Sequence, residues 1–262
     1  SEDMSAVPTD DGYVEIFANR HAFTAIKADG SLISWGNRYK GGRGAPEGTG
    51  FVEVVPTQLA FAALHADGSI ATWGKDNYGA AGAPTDSGYT ELVGSQRAFA
   101  ALAADGSITV WGHANYGGSG APTGTGYASI TTNGEAFAAL GDDGSISVWG
   151  DPDSGGTGAP DGSGFVTIAK PLGGESSPEN PPETPPDTGQ TQPGSSAIFS
   201  GGRLGNGSGE FRNEGAFAAL TSDGSIASWG HWSNSGDGTP TGAGYTRIFS
   251  NEGAFAALGE DG

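Results

Sequence analysis

Apolar residues recur along this chain at a fixed interval. The period is about 38 residues, and a strict period between about 20 and 50 residues is the signature of solenoids, propellers and related repeat architectures. Tryptophan and phenylalanine share this spacing, which gives Trp35, Trp73, Trp111 and Trp149, then Phe23, Phe61, Phe99 and Phe137, and later Phe217 and Phe255. The chain is therefore predicted to consist of copies of one small structural unit.

Each unit contains three short runs with strand-like alternation. Strand A is represented by Tyr13–Phe17, strand B is the AFAAL run that follows a link of four or five residues, and strand C is the SIxxWG run. An Asp-Gly pair separates strands B and C. This pair predicts a β-hairpin with a type I′ turn, in which both central residues take positive φ. Each unit is thus expected to be a small antiparallel sheet.

Strand B indicates how these sheets pack. Its consecutive residues are all apolar, so that Phe61 and Ala63 point to one face of the sheet and Ala62 and Leu64 to the other. Both faces of the sheet must therefore be covered. Sheets covered on both sides by copies of themselves are the blades of a propeller. A β-helix would need shorter coils and has no use for the Asp-Gly hairpins. We therefore predict an all-β propeller.

The period and the length together predict about seven short blades, because 262 residues hold about 6.9 periods. The interval from Trp149 to Trp229 is two periods plus four, so one blade between them is predicted to be degenerate. Phe165–Lys170 supplies its strand A, and Ala197–Ser200 is the segment expected to resume it. The two termini fit either a ring closed through a shared blade or a section of a longer array.

A proline-rich segment interrupts the degenerate blade. Seven prolines lie within residues 171–196, and proline cannot pair inside a sheet, so this segment is predicted to be a flexible insert or linker. We predict that residues 1–262 form a single propeller. The alternative is a boundary at the insert, between one propeller segment at 1–170 and another at 197–262.

Composition and net charge exclude several classes of fold and of binding partner. Glycine provides 49 residues beside 6 Trp, 7 Tyr and 12 Phe, which excludes a helix-rich chain and a disordered one. The 11 Lys and Arg against 30 Asp and Glu give a net charge of −19, which argues against nucleic-acid binding. The absence of cysteine excludes disulfides and thiolate chemistry. No apolar run of about 18 residues and no secretion signal are present, so membrane insertion is not expected.

The motif AFAALHADGSIATWG, followed by NYGAAGAP, resembles the repeat of the regulator-of-chromosome-condensation family. The resemblance covers residues 12–163 and 206–262 and implies a seven-bladed propeller. In repeat length the chain is nearest to the type II β-lactamase-inhibitory protein, a secreted bacterial relative. Its AFAAL arrays are also similar to repeats of large bacterial surface proteins. The resemblance implies the fold, and no functional residue is carried over from it.

Two segments of the unit vary while the rest is uniform. The A–B link reads ANRH, PTQL, GSQR, TNGE and RNEG, and the four residues after Trp-Gly read NRYK, KDNY, HANY, DPDS and HWSN. The Asp-Gly turn and the GAP segment before strand A barely change. In an antiparallel A-B-C sheet the two variable segments lie at one end and the uniform ones at the other. One face of the propeller is therefore predicted to be a recognition face.

The variable segments also hold most of the basic residues, whereas the hairpin Asp residues make the opposite face acidic. The candidate binding residues are Arg20, His21, Arg38, Tyr39, Lys40, Arg97, His113, His231 and Trp232. Trp232 has no counterpart in other units, which favours an exposed contact. The recurrent Trp residues, Tyr78 and Tyr116 are instead interpreted as packing residues.

Catalysis and metal binding find little support. The four histidines stand at different phases of the repeat, so no His-carboxylate pair recurs, and no nucleophile motif or phosphate-binding loop is present. We predict that the chain is not an enzyme. The hairpin Asp residues are turn formers first, and Asp151–Gly155 resembles a calcium loop without its bidentate glutamate. We predict no cofactor, with calcium as the alternative.

Together these features predict a non-enzymatic binding module of a secreted or cell-surface bacterial protein, used in adhesion or protein recognition through its variable loops. One alternative is a lectin-like propeller with several weak, equivalent glycan sites. A second is a structural spacer in a repeat array. The expected partner is a protein or a glycan at a surface, and the oligomeric state stays open.

Overall fold

The computed structural model describes residues 4–169, 215–231, 242–250 and 255–259, and these form six antiparallel sheets in succession. We number the sheets as blades 1 to 6. The strands are, in blade 1, β1 (Met4–Ser5), β2 (Tyr13–Ala18), β3 (Ala22–Lys27) and β4 (Leu32–Asn37); in blade 2, β5 (Phe51–Pro56), β6 (Ala60–His65) and β7 (Ile70–Gly74); in blade 3, β8 (Tyr89–Gly94), β9 (Ala98–Ala103) and β10 (Ile108–Gly112); in blade 4, β11 (Tyr127–Thr132), β12 (Ala136–Gly141) and β13 (Ile146–Gly150); in blade 5, β14 (Phe165–Ile168), β15 (Ala216–Thr221) and β16 (Ile226–Gly230); and in blade 6, β17 (Tyr245–Ser250) and β18 (Phe255–Gly259).

The strand order A-B-C repeats from blade to blade, with strand B in the middle of each complete sheet. The register repeats as well, since the Phe of strand B lies opposite the Trp of strand C, as Phe99 does opposite Trp111. From blade 1 to blade 4, strand A of one blade contacts strand A of the next. Strand A therefore lies nearest the common axis, strand C lies outside, and β1 adds to the outer edge of blade 1.

Short 3₁₀ helices follow strand C in the first four blades. They span Arg38–Lys40, Asp76–Tyr78, Ala114–Tyr116 and Pro152–Ser154. Each ends at a glycine in the left-handed conformation, such as Gly117 with φ 88°. The variable residues after Trp-Gly are thus held in a compact turn.

The predicted type I′ hairpin turn is wrong. In blade 1 the N–H of Gly30 donates to the carbonyl of Lys27, and the N–H of Lys27 donates to the carbonyl of Ser31. Gly30 has φ 80°, and no non-glycine residue in the described ranges has positive φ. The loop has three residues, a type I turn followed by a left-handed glycine, which also matches the strand twist. The residue before Asp joins the turn, so Asp29 keeps a negative φ.

Each junction between successive blades has its own hydrophobic cluster. In blade 3, Phe99 and Trp111 are buried and stack with their ring centroids 5.4 Å apart. The indole Nε1 of Trp111 donates to the carbonyl of Gly79 in blade 2 at 3.0 Å. The same bond recurs one period away in both directions, from Trp73 to Gly41 and from Trp149 to Gly117. The packing role of the recurrent Trp is therefore confirmed.

The insert lies within the A–B link of blade 5. Phe165–Ile168 pairs directly with Ala216–Thr221, so residues on both sides of the insert share one sheet. Among the described residues, the interval between Trp149 and Trp229 therefore contains the strands of one sheet, blade 5, and the described part of the chain forms six sheets in all. Residues 171–196 and the candidate strand at 197–200 lie outside the described residues. Whether 1–262 form a single propeller or divide at 1–170 and 197–262 stays a prediction.

One face of blade 1 is open to solvent. Phe23 is 45% exposed and stacks on the half-buried Trp35, whereas its equivalent Phe61 is fully buried by blade 1. Among the residues that the structure describes, no helix is long and apolar enough to cross a membrane.

Candidate functional site

In blades 1 to 4, and at the described residues 215 and 231 of blade 5, the two variable segments lie together at one end, as predicted. In blade 3 the N–H of His113, just after strand C, donates to the carbonyl of Arg97 in the A–B link. We call the surface built from these segments the loop face, and it comprises residues 18–21, 37–40, 56–59, 75–78, 94–97, 113–116, 132–135 and 151–154, with 215 and 231 in blade 5. The opposite end, formed by the B–C hairpins and the segments leading into strand A, is the turn face.

The turn face is closed by one bond pattern that links neighbouring blades. The carbonyl of Gly68 in blade 2 accepts from the N–H of Tyr89, where strand A of blade 3 begins. Gly68 has φ 81°, and a Cβ there would lie 2.5 Å from the backbone N of Gly88. The same bond recurs at Gly30–Phe51, Gly106–Tyr127, Gly144–Phe165 and Gly224–Tyr245. The uniform sequence of this face therefore follows from a packing requirement.

The hairpin Asp residues act as turn formers. The Oδ1 of Asp67 accepts from the hydroxyl of Ser69 at 2.6 Å and from its N–H at 2.8 Å, and Asp105 accepts in the same way from Ser107. The bonds from Ser69, the hydroxyl first, and the contact of His65 Nδ1 with Oδ1 at 2.8 Å lower the pKa of Asp67 to about 2. The bonds from Ser107 likewise lower the pKa of Asp105. The pKa values of Asp29, Asp143 and Asp223 are lowered as well.

This pattern predicts acid sensitivity. A carboxyl whose pKa is depressed by folding contributes stability that is fully present above its unfolded value, here 3.8, and that is lost as the pH falls through the folded pKa. We therefore expect the midpoint of thermal unfolding to fall between about pH 4 and about pH 2. In the triple variant Asp67→Asn, Asp105→Asn and Asp143→Asn the fall should be shallower, because asparagine keeps the acceptor oxygen but does not titrate.

The control removes three charges from exposed positions outside the hairpins, through Asp11→Asn, Asp76→Asn and Asp161→Asn. Circular dichroism melts at pH 5, 4, 3 and 2 compare the two variants with the original chain. Equal slopes for both triple variants would show that the hairpin bonds do not carry the acid sensitivity.

On the loop face, backbone hydrogen bonds join the A–B links of four blades. The N–H of Arg20 donates to the carbonyl of Gln58, the N–H of Gln58 to that of Gln96, and the N–H of Gln96 to that of Gly134. The side chains of Gln58 and Gln96 are also hydrogen-bonded, at 2.7 Å. The A–B links of blades 1 to 4 therefore form a continuous arc of hydrogen-bonded backbone.

One position in the variable link is structural. Ser95 accepts from the N–H of Ala98 and donates its hydroxyl hydrogen to the carbonyl of Tyr116 in the 3₁₀ helix. Its equivalents are Asn19, Thr57 and Asn133, which make the corresponding bonds. By residue type this position is variable, so the sequence pattern places it among the candidate recognition positions. The signal was present, since each of these four units has a residue here that both donates and accepts.

The structure places the described candidate residues on the loop face. Arg20, His21 and Tyr39 are exposed, and Arg38, Lys40, Arg97, His113 and His231 are half-buried. Trp232 lies outside the described residues. The candidates do not form one cluster, because they follow the ring from blade 1 to blade 5.

Arg97 stands at the centre of the best-defined cluster on this face. Its guanidinium carbon lies 5.0 Å from the ring centroid of Tyr78 in blade 2 and 4.8 Å from that of Tyr116 in blade 3. Lys75 lies over Tyr78 at 5.5 Å, and His113 meets Tyr116 edge-on at 5.3 Å. We call these five residues the Arg97 cluster. It crosses the junction between two blades and therefore depends on their packing.

Tyr78 and Tyr116 have two roles. Each packs partly against a blade-junction core, as predicted, but each also presents its ring to Arg97. The repeat pattern does not predict this second role, because the residues that meet are contributed by different units. Two buried nitrogens of the cluster, Arg97 Nε and His113 Nδ1, have no hydrogen-bond partner among the described residues.

Charge divides the loop face into two parts. Blades 1 to 3 carry Arg20, Arg38, Lys40, Lys75 and Arg97 against the single acid Asp76, a net charge of +4. Blade 4 carries Glu135, Asp151 and Asp153 with no basic residue, a net charge of −3. The loop face is thus basic over three blades and acidic over the fourth.

A cleft of about 570 Å³ lies between the 3₁₀ helix of blade 3 and the end of strand C in blade 4, with Asn115, Trp149 and Asp151 in its wall. The Oδ1 of Asp151 accepts from the N–H of Asp153 and so caps its own 3₁₀ helix. Within the described ranges, no group of three His, Cys, Asp or Glu residues is placed to hold a metal ion. That the chain needs no cofactor stays a prediction.

Neither a protein-family model nor a curated protein sequence matches this chain. Solved structures with a similar fold include the entire ectodomain of the Physcomitrella patens receptor kinase CR4, at 12% identity and a TM-score of 0.50, which covers 83% of this chain. The chain spans about half of that ectodomain, since the match covers 50% of it.

Two further structures are similar at lower scores. The CRINKLY WD40 ectodomain of the Arabidopsis thaliana receptor kinase ACR4 matches at 16% identity and a TM-score of 0.49, over 88% of this chain and 66% of its own. Prp20p of Saccharomyces cerevisiae, also called yeast RCC1 and described for its binding to Gsp1p and histones, matches at 15% identity and a TM-score of 0.46, over 94% and 63%. The predicted all-β propeller fold is confirmed.

Proposed function

We propose that this chain is a non-enzymatic binding module that recognises a protein partner through its loop face. The Arg97 cluster carries the proposal. Arg and Tyr are the residue types that most often dominate the energy of protein interfaces, and here they are held between two packed blades. Ordering their side chains on binding therefore costs little conformational entropy.

The contrast between the faces supports the same choice. The side chains of the turn face repeat because the hairpins must meet the next blade, whereas the exposed side chains of the loop face differ from unit to unit. Variation on a rigid scaffold is the arrangement of recognition loops. A lectin with equivalent sites is less well supported, because the Arg97 cluster occurs once among the described residues and its Tyr rings already contact Arg97 and His113.

We propose a secreted or cell-surface location, which rests on the resemblance of the repeats to those of bacterial surface proteins. The fold is compatible with such a location, since the CR4 ectodomain has a similar one. The proposed role is adhesion or protein–protein recognition.

The test is an affinity pull-down from the native surroundings of the chain, followed by titration of the recovered protein. We expect Arg97→Ala to weaken binding at least about thirtyfold, the equivalent of a hot-spot loss of about 2 kcal/mol. Arg38→Ala and Tyr39→Ala should each weaken it by less. The variant Asp105→Asn on the turn face is the control and should bind like the original chain.

Each other outcome has a distinct meaning. Loss of binding in Asp105→Asn with retention in Arg97→Ala would assign recognition to the turn face and contradict the proposal. Binding on a glycan array with several equivalent sites would support the lectin alternative. The thermal melting temperature of every variant must match that of the original chain, which shows that a loss of binding does not result from unfolding.

A further inference from the structure

We infer that the partner contributes a carboxylate-rich peptide segment, which lies across blades 1 to 3 and pairs with Arg97. The inference rests on the proposed function and adds the chemistry of the partner. It draws on three observations: the stacking of Arg97, the division of charge on the loop face, and the distance between the two faces.

The stacking of Arg97 fixes how its charge is presented. The central carbon of the guanidinium lies over both Tyr rings, at 5.0 and 4.8 Å from their centroids, and these contacts hold the side chain in place. A guanidinium presents several N–H donors in a fixed fork, which suits a bidentate pair with a carboxylate. Within the described part of the chain, no Asp or Glu forms a salt bridge with Arg97, and its Nε lacks a hydrogen-bond partner. The positive charge of Arg97 is therefore placed to bind an anion from a partner.

The surrounding charge extends this preference to a segment. Arg20, Lys40 and Lys75 lie on the same basic part of the loop face, which spans three blades. Glu135, Asp151 and Asp153 on blade 4 repel an acidic chain that runs further along the ring. The acidic peptide of the partner is thus limited to blades 1 to 3. The change from basic to acidic charge at blade 4 determines where the peptide ends on the loop face.

The net charge of −19 would by itself disfavour an acidic ligand, but distance decides which charges act. Strands of six residues separate the two faces by about 20 Å, at about 3.3 Å per residue. The Debye length is about 8 Å at 0.15 M ionic strength and about 30 Å at 0.01 M. At physiological salt the acidic turn face is largely screened from the loop face, whereas at low salt it is not.

The difference in screening between the two faces predicts an unusual salt dependence of the affinity. Affinity for an acidic peptide should be weak at 0.01 M salt, where the whole molecule repels it, and strongest near 0.15 M. It should fall again at 1 M, where a Debye length of about 3 Å screens the direct pairs as well. A simple basic patch would lose affinity at every increase of salt.

The probe is a fluorescein-labelled decaglutamate peptide, titrated with the full chain at the three salt concentrations and read by fluorescence anisotropy. We expect Arg97→Ala to lower the affinity at 0.15 M at least tenfold, and Arg97→Lys to restore less than half of that loss in logarithmic terms, because lysine keeps the charge but not the planar fork. The control Lys27→Ala removes the same charge from the turn side of blade 1 and should leave the affinity within a factor of two.

Three results would overturn the inference: no binding of decaglutamate, equal loss in Arg97→Ala and Lys27→Ala, or a steady decline of affinity from 0.01 M salt. Binding of a sulfated polysaccharide in place of decaglutamate would overturn it as well. If decaglutamate fails while the pull-down yields an Arg97-dependent protein, the proposed function stands without this partner chemistry. If decaglutamate binds but no protein is recovered, the anion-binding surface stands and the proposed function fails.

Discussion

Trp111→Ala is expected to lower the free energy of unfolding by about 3–5 kcal/mol, as truncations of large core aromatic residues do. Trp111 is 4% exposed, stacks on Phe99, and donates its Nε1 hydrogen to the carbonyl of Gly79 in the preceding blade. The substitution removes a ring from the junction of blades 2 and 3 and leaves that carbonyl without its donor. Urea unfolding followed by circular dichroism gives the change directly.

The chain offers a matched control at the same repeat position. Trp35 also stacks on its partner, Phe23, at 5.5 Å, but both rings are partly exposed because that face of blade 1 is open. Trp35→Ala should therefore cost less than half as much as Trp111→Ala. Equal losses at the two positions would contradict the view that burial between blades, rather than stacking within a blade, gives the recurrent Trp its effect.

Gly79→Ala is expected to destabilise the chain by about 2–5 kcal/mol, from two sources. Gly79 ends the 3₁₀ helix of blade 2 with φ 96°, and a Cβ there would lie 2.5 Å from the ring of Phe99. About 1–2 kcal/mol comes from placing a side chain at positive φ, and about 1–3 kcal/mol comes from overlap with a ring that has no room to move.

Gly88→Ala separates these two contributions. Gly88 has nearly the same φ, 97°, but its added Cβ would meet no atom within 4 Å. Only the conformational part of the loss is expected there, so Gly88→Ala should be milder than Gly79→Ala by at least about 1 kcal/mol. The same denaturation experiment measures both variants. Indistinguishable losses would show that the close approach to Phe99 is relieved by movement of the loop.

The repeat allowed the strands, their order and their packing to be predicted, because all three depend on local pattern. The alternation in AFAAL requires a sheet covered on both faces, and the recurrent Phe and Trp stand opposite each other wherever that sheet forms. The hairpin type was predicted wrongly for a local reason. The residue before Asp-Gly belongs to the turn, and nothing in its side chain reveals this.

The candidate site was predicted in outline only. The position of the variable segments at one end follows from antiparallel topology, so Arg97 and His113 could be placed on the recognition face. The Arg97 cluster could not be foreseen, since Tyr78 belongs to blade 2 and Arg97 and Tyr116 belong to blade 3. The bonds that Ser95 and its equivalents make to the 3₁₀ helix were not predicted, because the four residues differ in type and share only the capacity to donate and to accept.

The amino-acid pattern is sufficient to specify a propeller of short blades with one uniform and one variable face, because these properties arise within a single repeat unit. The contacts between units depend on the tertiary structure: which glycine approaches which ring, which blade holds the strands on either side of the insert, and how five basic residues gather on three blades. Such contacts depend on the distance and the rotation between neighbouring sheets. The sequence period determines neither this distance nor this rotation.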